Sequence, residues 1–521
     1  MMWAAVHCHR LELDLALRGH SDLHEPVAVC SGLLVLQANA AAQERGIQPG
    51  LRRASALSIL PELRLIEHRP AAVQEGLEQV AGWLLQFTPG VSLQPPEGIV
   101  LDLQASLRLF GGRPALLARI RSGLTALGFS VHLACAPTAR AAWLLVRWRD
   151  GACIEHPSLL EAGLSALPIG LLHSAARHGD ALAAIGAHRF ADLARLPRDG
   201  LARRYGPLLL TEIDTALGRQ AEPRAWFEAP ARFAIRLELL AQVERAEALL
   251  FGAQRLLQQL CGWLAARHSA TRDVLLCAEH ESGRHACPPT SIALRLSAPS
   301  RDPERLLAVL RERLGLLQLP APVHTLSLSC DRIVALGGQA GTLFPSPDAD
   351  SEDLGRLIER LQSRLGHDQV QRLHLVCDHR PEAAYRTDPV DRLPHGPTRR
   401  SGARTAAARP SNQTLADPRS HGPERQPDPG SPAPLVTAGM PRPLWLLDPP
   451  VPLAEQRQRP VWHGPLTLLT GPERIETGWW DGHPIQRDYF IAEDETAGWV
   501  WIYRTRSSDT QVGWFLQGMF G

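Results

Sequence analysis

His7, Cys8 and His9 follow one another near the N-terminus. On a strand, residues two apart share a face, so both imidazoles would project together, as at the start of a soft-metal site. Two ligands from one strand need partners from elsewhere. No nearby His or Cys pair has zinc spacing, so ordinary polar side chains are the better reading of this triplet. The nine cysteines, from Cys8 to Cys377, are scattered and never spaced C-x-x-C, which argues against a disulfide framework or zinc knuckle and favours a reducing compartment. Lysine is absent, all 55 basic residues being arginine. A lysine-bearing phosphate loop, a lysine Schiff base and a lysine general base are excluded together.

The elements that hold such side chains follow from length and hydrophobic pattern. At 521 residues the chain is too long for one core and divides into several domains. No apolar run approaches the ~18 residues a bilayer span requires, and charges interrupt the apolar start from Met1 to Gly19. Neither a signal peptide nor a membrane anchor is expected, and the cytoplasm is the expected location. A net charge of +1 does not announce a nucleic-acid binder, although a local basic face is compatible with a neutral total.

Along residues 1–160 short apolar strands alternate with helical patterns. Trp3 to Val6, Val27 to Cys30, Leu33 to Ala38, the stretch from Gly98 and Ser130 to Ala136 read as strands, and Val73 to Phe87 and Arg113 to Leu127 as helices. That order implies an α/β layer with helices packed on a sheet. Residues 161–225 read as helical throughout, with Gly- and Pro-punctuated turns. Within 230–380, from Phe233 to Val334, the pattern spells strand, long helix, strand, strand, helix, strand, a split β-α-β unit of the ferredoxin-like kind. Twelve prolines fall between Pro389 and Pro443 with almost no large apolar residue. Residues 385–443 cannot bury enough surface to offset their ordering entropy and are expected to be a disordered linker, able to tether one end of the chain to the other. Seven of the thirteen tryptophans lie in 444–521. That region reads as a small strand-rich module, with strands at Ile475 to Trp480, Arg487 to Ala492, Gly498 to Arg504 and Gly513 to Gln517.

Taken with its local motifs, this multidomain α/β order resembles the Y family of translesion DNA polymerases over residues 1–380, as palm and fingers, helical thumb and little finger. The run Val35-Leu-Gln-Ala-Asn-Ala-Ala-Ala-Gln-Glu-Arg-Gly-Ile-Gln-Pro-Gly-Leu is similar to that family's fingers segment. Val91 to Gly112 is similar to its palm strand, and Phe190-Ala-Asp-Leu-Ala-Arg-Leu-Pro to the second helical hairpin of its thumb. The chemistry this implies is nucleotidyl transfer. Two divalent cations about 4 Å apart, held by carboxylates, activate the attacking 3′-hydroxyl and neutralise the leaving pyrophosphate.

The residues at the implied positions do not supply it. His7 and His9 stand where the family's first strand carries two aspartates, and Mg²⁺ strongly prefers oxygen to imidazole. With Val100-Leu101-Asp102 matched to the family's Tyr-Leu-Asp, Glu97 and Gly98 take the paired acidic positions, of which only Glu97 keeps a carboxylate. Ala40 and Gln43 replace the tyrosine and arginine that hold the incoming triphosphate. Thr138 and Ala139 replace an Asn-Lys pair in the segment Ala136-Pro-Thr-Ala-Arg-Ala-Ala-Trp. The implied catalytic site is vestigial, with no metal and no cofactor expected.

Pro441-Arg-Pro-Leu-Trp-Leu-Leu-Asp-Pro-Pro and Glu473-Arg-Ile-Glu-Thr-Gly-Trp-Trp-Asp-Gly, followed by Arg487-Asp-Tyr-Phe, are similar to the C-terminal region of a non-catalytic branch of that family. The resemblance implies a scaffold of SOS-type mutagenic DNA repair, on the nucleoid after damage. Its implied partners are a RecA-like, ImuA-type protein and the α-subunit of an error-prone replicative-type polymerase, with DNA bound weakly and without sequence preference. Gln339-Ala-Gly-Thr-Leu-Phe is similar to the bacterial sliding-clamp peptide, in which Gln339 would fix the backbone while Leu343 and Phe344 fill an apolar pocket. The plain alternative is a loop whose Leu343 and Phe344 cover local core. Trp479, Trp480 and Trp514 are candidates for a partner-binding face. Alternation puts Trp499 and Trp501 on one side of their strand, by default the buried side. The competing expectation is a degenerate but active translesion polymerase using Glu97, Asp102 and a further carboxylate.

Overall fold

A computed structural model describes residues 1–19, 25–280, 287–336, 347–390, 441–496, 498–506 and 513–520. They fall into two compact units, Met1–His367 and, second, Asp368–Val390 together with the described residues from 441 onward.

The first unit opens on β1 (Trp3–His7), α1 (Leu11–Leu17), β2 (Val27–Ser31), β3 (Leu34–Ala38), α2 (Ala40–Glu44), α3 (Arg53–Ile59) and β4 (Arg64–Glu67). It continues with α4 (Pro70–Leu84), β5 (Val91–Gln94), β6 (Gly98–Asp102), α5 (Arg113–Ala126), β7 (His132–Ala136) and α6 (Ala139–Trp148). An antiparallel sheet runs β5-β6-β1-β7, and β3-β2-β4 form a smaller sheet beside α2 and α3. Successive residues of a strand point to opposite faces. Ala4 and Val6 therefore enter a core with Leu77 and Val80 of α4 and Ile120 and Leu124 of α5, whereas Ala5 packs with Ala141, Ala142 and Leu145 of α6. Both faces of β1 are covered, which is why its central residues, Ala4, Ala5 and Val6, are small and apolar.

The helical region follows as α7 (Leu160–Leu164), α8 (His173–Ala176), α9 (Gly179–Ala184), α10 (Phe190–Arg195), α11 (Arg198–Tyr205) and α12 (Pro207–Ala216). It shares a core with α6, and Thr138 Oγ1 donates to Ala216 O at 2.8 Å. Next come β8 (Phe233–Val243), α13 (Leu249–Ala266), β9 (Ser269–His280), β10 (Thr290–Ser300), α14 (Pro303–Gly315) and β11 (Val323–Cys330), the expected β-α-β-β-α-β succession. The sheet runs β10-β9-β11-β8, so the last strand lies between the first two. Alternation is regular: Phe233, Ile235 and Leu237 face the core and Ala234, Arg236 and Glu238 face outward. β12 (Val334–Ala335) pairs with β9. α15 (Pro347–Leu365) is anchored by Glu359, whose carboxylate meets the Arg305 guanidinium at 2.6 Å and accepts from Ser297 N at 2.6 Å.

The second unit contains the hairpin β13 (Gln371–Leu375) and β14 (Tyr385–Pro389), then β15 (Trp445–Gln456), β16 (Arg459–Val461), β17 (Thr467–Thr477), β18 (Ile485–Asp494), β19 (Gly498–Thr505) and β20 (Trp514–Met519). The main sheet runs β16-β15-β20-β19-β18-β17. Two expectations change here. β15 was not foreseen because Pro449, Pro450 and Pro452 cannot donate to a ladder. The strand accommodates them with a register shift, pairing Leu446 with Gly518 and resuming at Val451 with Leu516. Residues Asp368–Val390, expected to close the 230–380 domain and open the linker at 385, instead join the C-terminal strands. Glu382 accepts from Arg487 Nη1 at 3.0 Å and from Gln517 Nε2 at 2.8 Å, bonds across more than a hundred positions that no local pattern encodes. The remainder of the expected linker, 391–440, lies outside the described residues, as do Gln339, Leu343 and Phe344. Among the described residues no helix is long and apolar enough to cross a membrane.

Candidate functional site

The register of the first sheet sets His7 opposite Gly98 on β6 and opposite His132 on β7. β1 stops at His7. Cys8 N then donates to Glu97 O at 2.8 Å, and His9 lies in the turn leading to α1. His7 and His9 therefore do not share a strand face as expected, yet their ring centroids come within 6.1 Å. His7 Nε2 and Glu97 Oε1 are hydrogen-bonded at 2.9 Å. His132 stacks on His9 at 4.2 Å, and Trp143 of α6 meets the His7 ring edge to face at 5.7 Å. The Nδ1 atoms of His7 and His9 are buried with no hydrogen-bond partner among the described residues.

Burial disfavours the imidazolium form of His9, and the nearby His132, His7 and Arg10 add repulsion that Glu97 only partly opposes, so its pKa falls from 6.5 to about 4. The ring is neutral at neutral pH. Burial likewise pushes the Cys8 thiol far above its usual range, with the acidic Asp14 and Glu97 adding to the effect. Cys8 stays protonated and is a poor metal ligand.

Gly98 is buried, and a Cβ built on it would overlap the six-membered ring of Trp143. Thr138, replacing the expected asparagine position, caps the helix that delivers this indole, its Oγ1 accepting from Ala141 N at 3.2 Å. The space an acid at 98 would need is thus taken. Sequence reasoning singles out His7, His9, Glu97 and Gly98, and the structure sets His132 and Trp143 beside them, which that reasoning did not single out. Strand register and the face α6 presents are tertiary facts, and the only local signal was Trp143 closing the segment that starts at Ala136.

Two divalent cations need several oxygen ligands converging on one place. Around His7 Glu97 is the carboxylate the described residues bring, and an imidazole already holds it. Asp102 pairs with Trp3 at the far end of β6, about 16 Å along the strand from Glu97 at ~3.3 Å per residue. Its Oδ1 accepts from Gln104 N at 3.1 Å, a turn bond. Among the described residues no three or more His, Cys, Asp or Glu side chains are placed to share a metal ion. The donor set does not fit a two-metal centre. In the expected fingers, Gln43 Nε2 donates to Ala38 O at 2.9 Å, a local backbone contact, and Ala40 brings no polar group.

The tail tryptophans divide. Trp514 is 5% exposed and packs with Val500, Ile502 and Leu516, so its place in the expected partner-binding set is corrected: it is core. Trp501 is buried on the opposite face, stacked on Tyr489 at 4.3 Å. Trp499, expected beside it, sits near the start of β19 and is half exposed. Trp479 and Trp480, in the turn between β17 and β18, are exposed at 74% and 56%.

The impB/mucB/samB family matches residues 14–147. Protein ImuB of Caulobacter vibrioides is 28% identical over 495 residues, covering 91% of this chain and 100% of its own length. DNA polymerase IV of Pseudomonas putida is 24% identical over 196 residues, 37% of this chain and 53% of its own. Among solved structures, DinB from Sulfolobus solfataricus aligns with 15% identity and a TM-score of 0.35, covering 65% of this chain and 100% of that one. A Dbh ternary complex aligns with 16% identity and a TM-score of 0.35, covering 64% and 100%. The homology with ImuB runs through most of the chain, and the impB/mucB/samB match lies on the sheet that carries His7 and Gly98. The first unit joins the region matched by the impB/mucB/samB family to a helical region and a ferredoxin-like β-α-β-β-α-β domain, and the second unit is strand-rich.

Proposed function

We propose that this homologue of ImuB in the impB/mucB/samB family serves error-prone translesion synthesis as a non-catalytic scaffold. The observation that supports the reading is the centre of the first sheet, where the resemblance implies metal ligands: an imidazole holds Glu97, and Trp143 fills the space a side chain at 98 would need. A cation pair has no oxygen cage there, so the body holds a position at the damaged template instead of extending a primer. The reading as a degenerate active polymerase would need Glu97 and Asp102 to cooperate, and the strand sets them at opposite ends.

The scaffold would work through two separate segments of the chain. Gln339, Leu343 and Phe344 would seat the chain on the sliding clamp, and the C-terminal unit would take the error-prone polymerase α-subunit and the RecA-like partner. DNA would add weak, non-specific contacts, in the cytoplasm at the nucleoid. Two measurements test this. Primer extension with Mg²⁺ or Mn²⁺ should show no incorporation, and any template-directed product would return the protein to the enzymes. Clamp affinity by surface plasmon resonance should fall by roughly 2–4 kcal/mol in a Leu343→Ala, Phe344→Ala variant, the range of interface hot spots. Unchanged affinity would remove the clamp peptide.

A further inference from the structure

Cys135 of β7 and Cys153 lie opposite each other across a parallel bridge. After α6 the chain returns along the edge of β7 that faces away from β1. Gly151 N donates to Leu133 O at 2.8 Å, Cys135 N to Ala152 O at 2.9 Å, and Ile154 N to Cys135 O at 3.0 Å. Asp150 fixes the start of this pairing, its Oδ1 accepting from Leu133 N and from Arg121 Nη2, both at 2.7 Å. Neighbouring strands run about 4.8 Å apart, and residues in register across them send their side chains to the same side. A disulfide joins Cα atoms roughly 4.4–6.8 Å apart, so the backbone register already holds this pair within bridging range.

The two thiols have the unequal access that a relay needs. Cys153 is exposed, whereas Cys135 is buried in one core with Leu116 and Ile120 of α5. A reagent from solvent therefore meets Cys153 first. Arg113, at the start of α5, acts electrostatically on both sulfurs and is itself held by Glu155 at 2.6 Å. Burial raises the Cys135 thiol to about 12, with Cys153 adding to the rise and Arg113 opposing it. Cys153 is raised by burial too, and there Arg113 again favours the thiolate. Cys277 supplies a contrast within the same chain: its sulfur lies 3.8 Å from the Ser291 hydroxyl.

We propose that Cys135 and Cys153 are a redox modification site, forming a reversible disulfide on exposure to a low-molecular-weight disulfide. The Cys153 thiolate attacks one sulfur of the reagent, whose S–S bond breaks and releases one half as a thiolate. Cys135 then gives its proton to that thiolate and attacks the Cys153 sulfur, and the second half of the reagent leaves. The protein dithiol is oxidised by two electrons, and the reagent is reduced to two thiols. The bond fastens the far end of α6 to the strand that leads into it. That helix carries Trp143, the ring over Gly98, so oxidation staples the packing at the centre of the first sheet. The site stands apart from the recruitment reading and does not depend on it.

The test takes the full chain, fully reduced, into oxidised glutathione, blocks the remaining thiols by alkylation and maps cross-linked peptides by mass spectrometry. A Cys135–Cys153 cross-link should be at least about tenfold more abundant than any other cysteine pair, because the register gives these two sulfurs a high effective concentration. Dithiothreitol should reverse it. Cys153→Ser, a change at the surface, should abolish it while circular dichroism shows an intact fold. Cys135→Ala should stop the relay halfway, leaving glutathione on Cys153. Should that core variant fail to fold, the parent and Cys153→Ser decide the matter alone. Glutathione retained on Cys153 of the parent with no cross-link would overturn the pair and leave one modified thiol. Cross-links through Cys277 as abundant as Cys135–Cys153 would show scrambling in place of a built site, and an unmodified Cys153 would overturn the proposal outright.

Discussion

The indole of Trp143 lies over Gly98, in the space that any side chain at that position would occupy. The glycine and the ring over it are one packing arrangement, since a side chain at 98 would have to displace the indole. An acid introduced at 98 meets a steric obstacle before an electrostatic one.

Gly98→Asp should therefore destabilise the protein by about 1–3 kcal/mol, the usual cost of overpacking, with no nucleotide incorporation gained. Urea denaturation measures the first effect and primer extension the second. In a double-mutant cycle, Gly98→Asp should cost less in a Trp143→Ala background than in the parent. A Gly98→Asp variant as stable as its parent would mean the ring moves aside freely. Glu97→Ala, by contrast, removes only the bond to His7 and should leave induced mutagenesis nearly intact.

The histidine cluster predicts a pH dependence. His9 titrates near 6.5 unfolded and near 4 folded, so between those values the unfolded chain binds more protons. Its contribution to stability is fully present above 6.5 and is lost as pH falls through about 4. Asp14, whose carboxyl burial pushes up to about 6, acts in the opposite sense over much of the same window, because the folded state holds its proton more tightly. The melting curve of the parent is thus a sum. The difference between parent and His9→Gln isolates the imidazole: the gap in Tm should change in the parent's disfavour from pH 7 to pH 4.5. A constant gap would mean His9 is already hydrated in the fold.

What the sequence made legible was what one strand or helix encodes by itself. The alternation Phe233, Ile235, Leu237 announced β8, and the His-Cys-His triplet announced that the first strand lacks carboxylates. What it hid was pairing. Nothing local states that His132 faces His7 or that Glu382 reaches Arg487, because those bonds are chosen by sheet register and packing. Composition misled at 385–389, where a proline count outweighed a strand that tolerates proline at an edge, and at 445–456 a strand went unread that carries its prolines across a register shift.

Glu359 offers a test of how α15 is held. Its carboxylate is 1% exposed and bonded to Arg305 and Ser297. Glu359→Ala leaves the Arg305 guanidinium buried without its anion, a change that costs about 3–5 kcal/mol in comparable buried pairs. The helix can detach more cheaply than the β8–β11 sheet can unfold. Hydrogen exchange should therefore accelerate in α15 and stay unchanged in β9 and β11. Uniform acceleration through both would mean that α15 is integral to the little-finger core.

Because Asp368–Val390 and the strands after 441 form one unit, the proline-rich segment joins two parts of the same body and does not tether separate ones. Replacing 395–436 with about fifteen Gly and Ser residues, whose root-mean-square span is about 20 Å, should then preserve partner binding and induced mutagenesis. Ending the chain at 440 should abolish both. That cut deprives Glu382 of Arg487 and Gln517, deprives Arg380 of Asp481, and removes Trp479 and Trp480 outright. Ending it at His367 removes the entire unit, and the remaining body should still melt cooperatively, since its cores are made without the tail. Circular dichroism and co-purification read these outcomes. Loss of partners on the internal replacement alone would make the proline-rich segment itself the binding element. Retention of both partners by the chain ending at 440 would move the recruitment surface to residues before 441.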